Sequence, residues 1–366
     1  MRQDEYPGMV VRQKAPLNLE GQFSSVRDWL TPTPQFFVRS HFPAPQLNGE
    51  SWRLRVHGAV QTPLDLSLAE IADGPASTIS ATVECAGNGR VFYEPAKEGL
   101  QWQSGAVANA SWTGVRLRDI LEKAGVAQNA VEVVLIGADR GVVDGGKKTS
   151  SPGPIAFARS IPVRKAMDDT TLLAYAMNGE PLTVQHGFPL RAVIGGWFGM
   201  AWVKWITEIR VVERPFLGYW QARDYFRWDR EMGEPVLVPL TEMLVKSQIA
   251  RPINGSEVLV NQRRRIFGAA WGGEAPIVRV EFSAEGDDWE DARLLQTSVR
   301  HAWRFWECEW TPARPGRYSL LCRATDAEGN VQPGNQQDDR ESYMANWSVP
   351  VEVNVVDVPE ADGFEI

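Results

Sequence analysis

Along residues 52–58 apolar and polar positions alternate, which predicts a strand with Trp52, Leu54 and Val56 on a buried face and His57 on the other. Ser67 followed three residues later by Glu70 is a capping box, so a short helix should open there and close near Gly74-Pro75. Leu117, Ile120, Leu121 and Ala124 recur at helical spacing, and Gly125 stands where a left-handed closing residue belongs. An unbroken apolar run over 131–136 has strand length and ends at Gly137-Ala138-Asp139, ahead of a glycine- and lysine-rich stretch at 141–148. Two further runs, 172–177 and 181–184, flank Asn178-Gly179 and predict a hairpin on a type I′ turn. The stretch 16–45 has no such period. It is rich in proline and phenylalanine, and Thr31-Pro32-Thr33-Pro34 should be extended because residues before proline avoid the α region.

Beyond Pro235 the pattern changes. Short alternating runs at 256–261, 277–282, 304–310, 318–325 and 348–355, separated by Gly, Pro and Asp, predict a β-sandwich of about 110 residues. Trp306, Cys308 and Trp310 share one face of their run, and Tyr318, Leu320 and Cys322 one face of theirs, so both thiols fit its core. A Cys308–Cys322 bond is open if those faces meet. Reduced packing thiols are the better reading for a chain without export features.

Composition sets limits. At 366 residues the chain exceeds what one core usually supports, and 43% hydrophobic with 23% charged residues is the balance of a globular enzyme, so two folded domains are expected. A net charge of −8 argues against nucleic acid or an anionic membrane as principal partner, since both require a basic face. Three cysteines make no disulfide framework, and no C-x-x-C, haem-attachment or zinc spacing occurs. The first residues hold no recognisable export signal, and no stretch approaches about 18 uninterrupted apolar residues. The chain therefore reads as cytoplasmic as written, or periplasmic if a signal has been trimmed.

The candidate chemistry is concentrated in a few stretches. Thr82-Val83-Glu84-Cys85-Ala86-Gly87-Asn88-Gly89-Arg90 carries a strand pattern into a thiol, then two glycines that allow a sharp turn or close backbone approach, then a guanidinium. The plain alternative is a buried cysteine ending a strand before an Asn-Gly hairpin. At 35–43 aromatic residues alternate with Arg39 and His41, which could equally be a solvated edge. At 185–205 His186, Arg191 and Lys204 bracket a loop with Gly195, Gly196 and Gly199, a pattern suited to an anion cradle, although neither a P-loop nor a Rossmann glycine motif is present. Asp139, just past an apolar run, is a site candidate or a surface turn.

Phe37-Val38-Arg39-Ser40-His41, Glu84-Cys85-Ala86-Gly87-Asn88-Gly89-Arg90, His186-Gly187-Phe188-Pro189-Leu190-Arg191, Val203-Lys204-Trp205, Arg223-Asp224-Tyr225 and Asn330-Val331-Gln332-Pro333 stand in the order and spacing of the sulfite oxidase family of molybdenum enzymes. The chain resembles that family over nearly its whole length. The resemblance implies an α+β fold: a mixed α/β domain at 1–245 binding a molybdenum–molybdopterin cofactor, then an immunoglobulin-like β-sandwich at 246–366 through which such proteins form homodimers. Carried over by position, Cys85 is the thiolate on the metal. Phe37, Arg39, His41, Asp139, His186, Arg191, Lys204 and the loop Gly199, Met200 and Ala201 hold the pterin and its phosphate. Arg39, Arg90, Trp102, Tyr225 and Arg340 surround the substrate, with Cys85, Tyr225 and Arg39 as the catalytic set. The implied reaction is oxygen-atom transfer to sulfite, giving sulfate, while the protein supplies anion binding and orientation. Gly89 stands where animal members carry a second arginine. No haem module is expected, so electrons are expected to pass to a separate acceptor such as a cytochrome or dioxygen.

Other readings compete. The same chemistry could act on another small sulfur compound or oxyanion. A thiol hydrolase with Cys85 as nucleophile and His41 or His186 as base would want a helix opening after the thiol, and none is recognisable. An adhesion module on a scaffold would leave the Arg, His and Lys around glycine loops unexplained.

Overall fold

The computed structural model describes residues 6–144, 149–231 and 233–357, so the glycine- and lysine-rich stretch at 145–148 lies outside the described residues. The chain divides into two compact units. One comprises Met1–Gln22, Asp28–Met243 and Gln337–Ala345, the other Phe23–Arg27, Leu244–Gln336 and Asn346–Ile366. Where a cut at 245/246 divides the chain once, these units exchange two short segments.

Two five-stranded sheets carry the first unit. One runs Glu180–Pro181, Thr171–Met177, Val107–Arg116, Ala76–Glu84, with Arg191–Ile194 also paired to Thr171–Met177. The other runs Leu64–Ser67, Arg53–Gly58, Ile206–Val212, Glu132–Gly141, Ile155–Pro162, antiparallel except for the parallel pair Arg53–Gly58 and Ile206–Val212. The predicted alternation holds: Trp52, Leu54 and Val56 are buried, and His57 meets Glu208 at 2.9 Å from the other face. Leu68–Ala72 opens on the Ser67/Glu70 capping box, and Leu117–Ala124 buries its four predicted residues and closes on Gly125 at φ 69°. No helix among the described residues is long and apolar enough to cross a membrane.

Three local expectations change. The run at 131–136 continues as Glu132–Gly141, because a bulge between Ile136 and Arg140 lets the ladder resume beyond Asp139. Asn178 and Gly179 both have positive φ, as a type I′ turn requires, yet the return strand is only Glu180–Pro181. Pro181 has no N–H for the ladder, and Arg191–Ile194 takes the rest of that edge. Thr33–Gln35 forms a 3₁₀ turn instead of extended chain, since Pro34 falls in the first turn, where an N–H would have no partner anyway.

The second unit is the sandwich. One sheet runs Lys246–Arg251, Arg264–Trp271, Arg304–Trp310, Arg293–Leu294, and the other Ser256–Leu259, Val351–Val356, Gly316–Asp326, Ile277–Ser283, Glu290–Asp291. Its core joins Val258, Ile266, Val280, Phe282, Trp306, Leu320, Cys322 and Val353, with Cys308, Trp310 and Tyr318 against them. Both cysteines are free thiols. Lys246–Arg251 and Arg264–Trp271 were not predicted, because Gly268, Ala269 and Ala270 give no strand signal. Their smallness is a packing demand: a Cβ on Gly268 would lie 2.2 Å from Gln248 O and 2.5 Å from the Trp306 ring. Arg251 Nη1 donates to Ser24 O (3.0 Å) and Val26 O (2.9 Å), which ties Phe23–Arg27 into this unit.

Candidate active site

Cys85 follows directly on the strand Ala76–Glu84, and its turn is fastened on both sides. Cys85 N–H donates to Ala106 O at 2.9 Å, and Asn88 N–H donates to Cys85 O at 2.8 Å. The buried Asn88 side chain donates to Glu84 Oε1 (2.9 Å) and accepts from Ala106 N–H (3.1 Å). Gly89 turns the chain at φ 86°, while a Cβ on Gly87 would lie 2.5 Å from the Arg90 guanidinium. The thiol is thereby held on the wall of a cavity lined by side chains from several separate stretches of the chain. Burial raises its pKa, opposed first by Arg39, then by the Gly87 N–H and Arg90.

Phe37, Arg39, His41, Asp139, His186, Arg191, Gly199, Met200, Lys204 and Tyr225 line the same cavity. Arg191, at the start of Arg191–Ile194, donates from Nη1 to His186 O (3.0 Å) and from Nη2 to Trp202 O (3.4 Å) and lies 4.7 Å from the Trp112 ring centre. Burial lowers its pKa to about 9. Lys204 Nζ donates to Ser40 Oγ (3.0 Å) and Gln185 O (2.8 Å). Burial and then the charge of Arg191 pull this lysine well below its ordinary range, with Asp139 acting the other way. His186, buried beside Lys204 and Arg191, is lowered to about 3 and stays neutral. Asp139 leaves the bulge inward, and its Oδ1 has no hydrogen-bond partner among the described residues. Burial lifts that carboxyl to about 7. A Cβ on Gly187 (φ 109°) would meet Arg191 at 3.0 Å and Lys204 at 3.2 Å, so glycine is what lets these cations close in.

Tyr225 ends a π-helical turn, Trp220–Asp224. Its hydroxyl lies 2.7 Å from His41 Nε2, and the His41 ring stacks on Phe157 with centres 4.5 Å apart. Burial, then Arg39 and Lys204, hold His41 well below its ordinary pKa. Burial raises that of Tyr225, so the phenol keeps its proton beside the neutral imidazole.

Four predicted residues are not on the wall. Arg90 Nε donates to Ser342 O (3.0 Å) and Nη1 to Leu100 O (2.7 Å), so this guanidinium braces backbone instead of facing the cavity. Trp102 is wholly buried, and Arg340 turns back on Met344 O (3.1 Å) and the Gln337 side chain. None of these three, expected at the substrate, lines this cavity. Ala201 is buried and shares the 3₁₀ turn Gly199–Ala201 with Gly199 and Met200, which do line the wall. The wall also includes Phe36, Ser40, Phe157, Gln185, Trp202 and Trp205, which sequence reasoning missed. Ser40 between Arg39 and His41, and Trp205 beside Lys204, were the available signals. Gln185 and Phe157 gave none.

Among the described residues no three His, Cys, Asp or Glu side chains converge as metal ligands, so a metal at Cys85 must bring its other donors with it. Crowded cations, an unsatisfied carboxylate oxygen and one thiol fit a polyanionic organic group that carries metal ligands and N–H donors of its own.

Residues 41–220 match the family described as the oxidoreductase molybdopterin binding domain, and residues 238–356 the Mo-co oxidoreductase dimerisation domain. Over 347 residues the chain is 33% identical to the sulfite oxidase of Gallus gallus, covering 90% of this chain and 73% of that one. The chain belongs to the sulfite oxidase family. It is 35% identical over 349 residues to the mitochondrial sulfite oxidase of Macaca fascicularis, and spans 62% of that relative's length with 90% of its own. The crystal structure of the sulfane dehydrogenase SoxCD from Paracoccus pantotrophus superposes with a TM-score of 0.78 at 26% identity, covering 92% of this chain and 84% of that one. In this member of the sulfite oxidase family Cys85, Arg191 and Lys204 lie within the range matched by the molybdopterin binding domain, and Arg39 lies just ahead of it.

Proposed function

We propose that this chain binds a molybdenum–molybdopterin cofactor and oxidises sulfite to sulfate, with electrons passing to a separate acceptor. The observation that carries the reading is the meeting of Cys85 with Arg39, Arg191 and Lys204 on one cavity wall in a protein of net charge −8. Cys85 is assigned as the protein's ligand to the metal. Arg191, Lys204 and the neutral His186 hold the phosphate and pterin, whose negative charge offsets the crowding of cations. Asp139 Oδ1 accepts from a pterin N–H, and Phe37, Met200 and the close backbone at Gly199 shape the slot. When bound, the group supplies two-electron oxygen-atom transfer. Arg39 neutralises and orients the oxyanion, and Tyr225, held by His41, presents a protonated phenol to it. The sandwich unit is proposed to pair with a second copy of the chain, in line with its dimerisation-domain match.

A second reading, a reduced sulfur compound other than sulfite as substrate, draws on the likeness to a sulfane dehydrogenase. Protein made in a host that assembles the cofactor should contain about one molybdenum per chain and reduce ferricyanide on addition of sulfite. Protein without molybdenum, or loaded protein inert to sulfite, would overturn the reading. Turnover with thiosulfate or polysulfide alone would favour the second.

A further inference from the structure

Gln337–Ala345 belongs to the first compact unit although the chain on either side belongs to the second. It fastens to the cysteine turn at several points. Met344 N–H donates to Ala86 O at 2.7 Å, one residue from Cys85, and Ser342 O accepts from Arg90 Nε at 3.0 Å. Tyr343 O accepts from the Tyr93 hydroxyl. The Tyr343 side chain then reaches the other arm of the site. Its hydroxyl donates to Asp224 Oδ1 at 2.9 Å, and its ring lies 4.9 Å from the Tyr225 ring at an interplanar angle of 36°. The Arg90 guanidinium sits 5.1 Å from the centre of the Tyr343 ring. Glu341 (φ 50°) and Met344 (φ 64°) bracket the segment in conformations that residues with a Cβ avoid, so these contacts, not local preference, hold its shape.

We propose that Tyr343 is a positioning residue for Tyr225: its ring braces the Tyr225 ring and its hydroxyl holds Asp224, which fixes the phenol against the cysteine turn. The inference rests on reading the cavity as an oxyanion-oxidising site. Tyr225 has two handles, the His41 ring at its hydroxyl and Tyr343 at its face. A tyrosine carries both contacts only while its χ1 and χ2 stay in one well, and an aromatic neighbour at this spacing restricts them. Burial keeps Tyr343 itself protonated, hence a donor to Asp224.

The test uses the loaded enzyme with Tyr343→Leu and Tyr343→Phe, each made with Tyr225 intact and with Tyr225→Phe. Sulfite kinetics and calorimetric titration with sulfate are read together. With Tyr225 intact, Tyr343→Leu should lower kcat/KM and weaken sulfate binding about tenfold, and Tyr343→Phe about threefold, at unchanged molybdenum content. With Tyr225→Phe the same substitutions should change either quantity less than about twofold, because no hydroxyl remains to misplace. Equal losses in both backgrounds, or none, would overturn the proposal. If Tyr343→Leu does not fold, the Tyr343→Phe cycle decides. An enzyme inert to sulfite that still binds sulfate would refute the activity reading, and the sulfate cycle would then judge Tyr343 alone.

Discussion

Cys85 and Cys322 are both buried thiols, one in each compact unit, and their surroundings differ in kind. Cys322 sits among Val280, Phe282, Leu320 and Trp306, and burial lifts it to about 12 against the Ser247 hydroxyl and Ile249 N–H. Its neighbour Cys308 also reaches about 12, with Glu290 adding to the effect of burial. Cys85 is raised by burial too, but Arg39 leads the groups acting against it, and Lys204 and Arg191 stand on the same wall. Burial alone therefore does not separate a packing thiol such as Cys322 from Cys85, the thiol proposed as a ligand. The charge beside it does.

The largest test of that contrast is Cys85→Ser, which should cost about 10³-fold or more in sulfite turnover, on the order of 4 kcal/mol, in a protein that still folds. Normal turnover by this variant would erase the distinction. Arg39→Gln should cost about 2–4 kcal/mol, roughly 30- to 800-fold in kcat/KM, with the loss greatest at low ionic strength. Unchanged kinetics there would remove Arg39 from the substrate site.

The cation-lined wall should also mark the pH dependence of stability. In cofactor-free protein His186 has a folded pKa of about 3 against 6.5 unfolded. Above 6.5 both states are neutral, so its contribution is fully present there. As pH falls from 6.5 towards 3 only the unfolded chain takes up the proton, and stability drops by up to about 1.4 kcal/mol per pH unit from this group. Urea midpoints measured between about pH 7 and pH 4 should fall less steeply in His186→Gln. An identical slope would mean that His186 is not the group responsible. The smallest effect belongs to the sandwich: Cys322→Ser should lose about 1–2 kcal/mol of stability by burying a hydroxyl in an apolar core. Its turnover should stay within about twofold of the parent, and a large loss of activity would contradict the packing role.

Much of the fold was legible where a pattern is local. The Ser67/Glu70 cap, the Leu117, Ile120, Leu121, Ala124 stripe and the Trp306/Leu320 faces each bury what their period places together. The strand Arg264–Trp271 was not, because its signal is the absence of side chains, required by Trp306 from a strand far along the chain. The site divides in the same way. Cys85, His186, Arg191 and Lys204 could be singled out because each stands in a short stretch whose glycines and cations suit an anion, and Arg39 because it alternates with aromatic residues beside His41.

The sequence by itself determined which residues have the chemistry, since a thiol, a guanidinium or a glycine brings its capacities to any fold. Tertiary structure decided which of them face the cavity. Arg39 and Arg90 are the same side chain, yet one lines the wall while the other is spent on Leu100 O and Ser342 O. Those partners come from segments 10 and 252 residues away in the chain, and no local pattern encodes a hydrogen bond at that separation. Asp139 is turned inward by a bulge whose register is set by the neighbouring strand, and Tyr225 is braced by a segment returning from residue 337. A donor's role follows from which acceptor the fold brings within about 3 Å, and that distance is a property of the packed chain, not of any stretch within it.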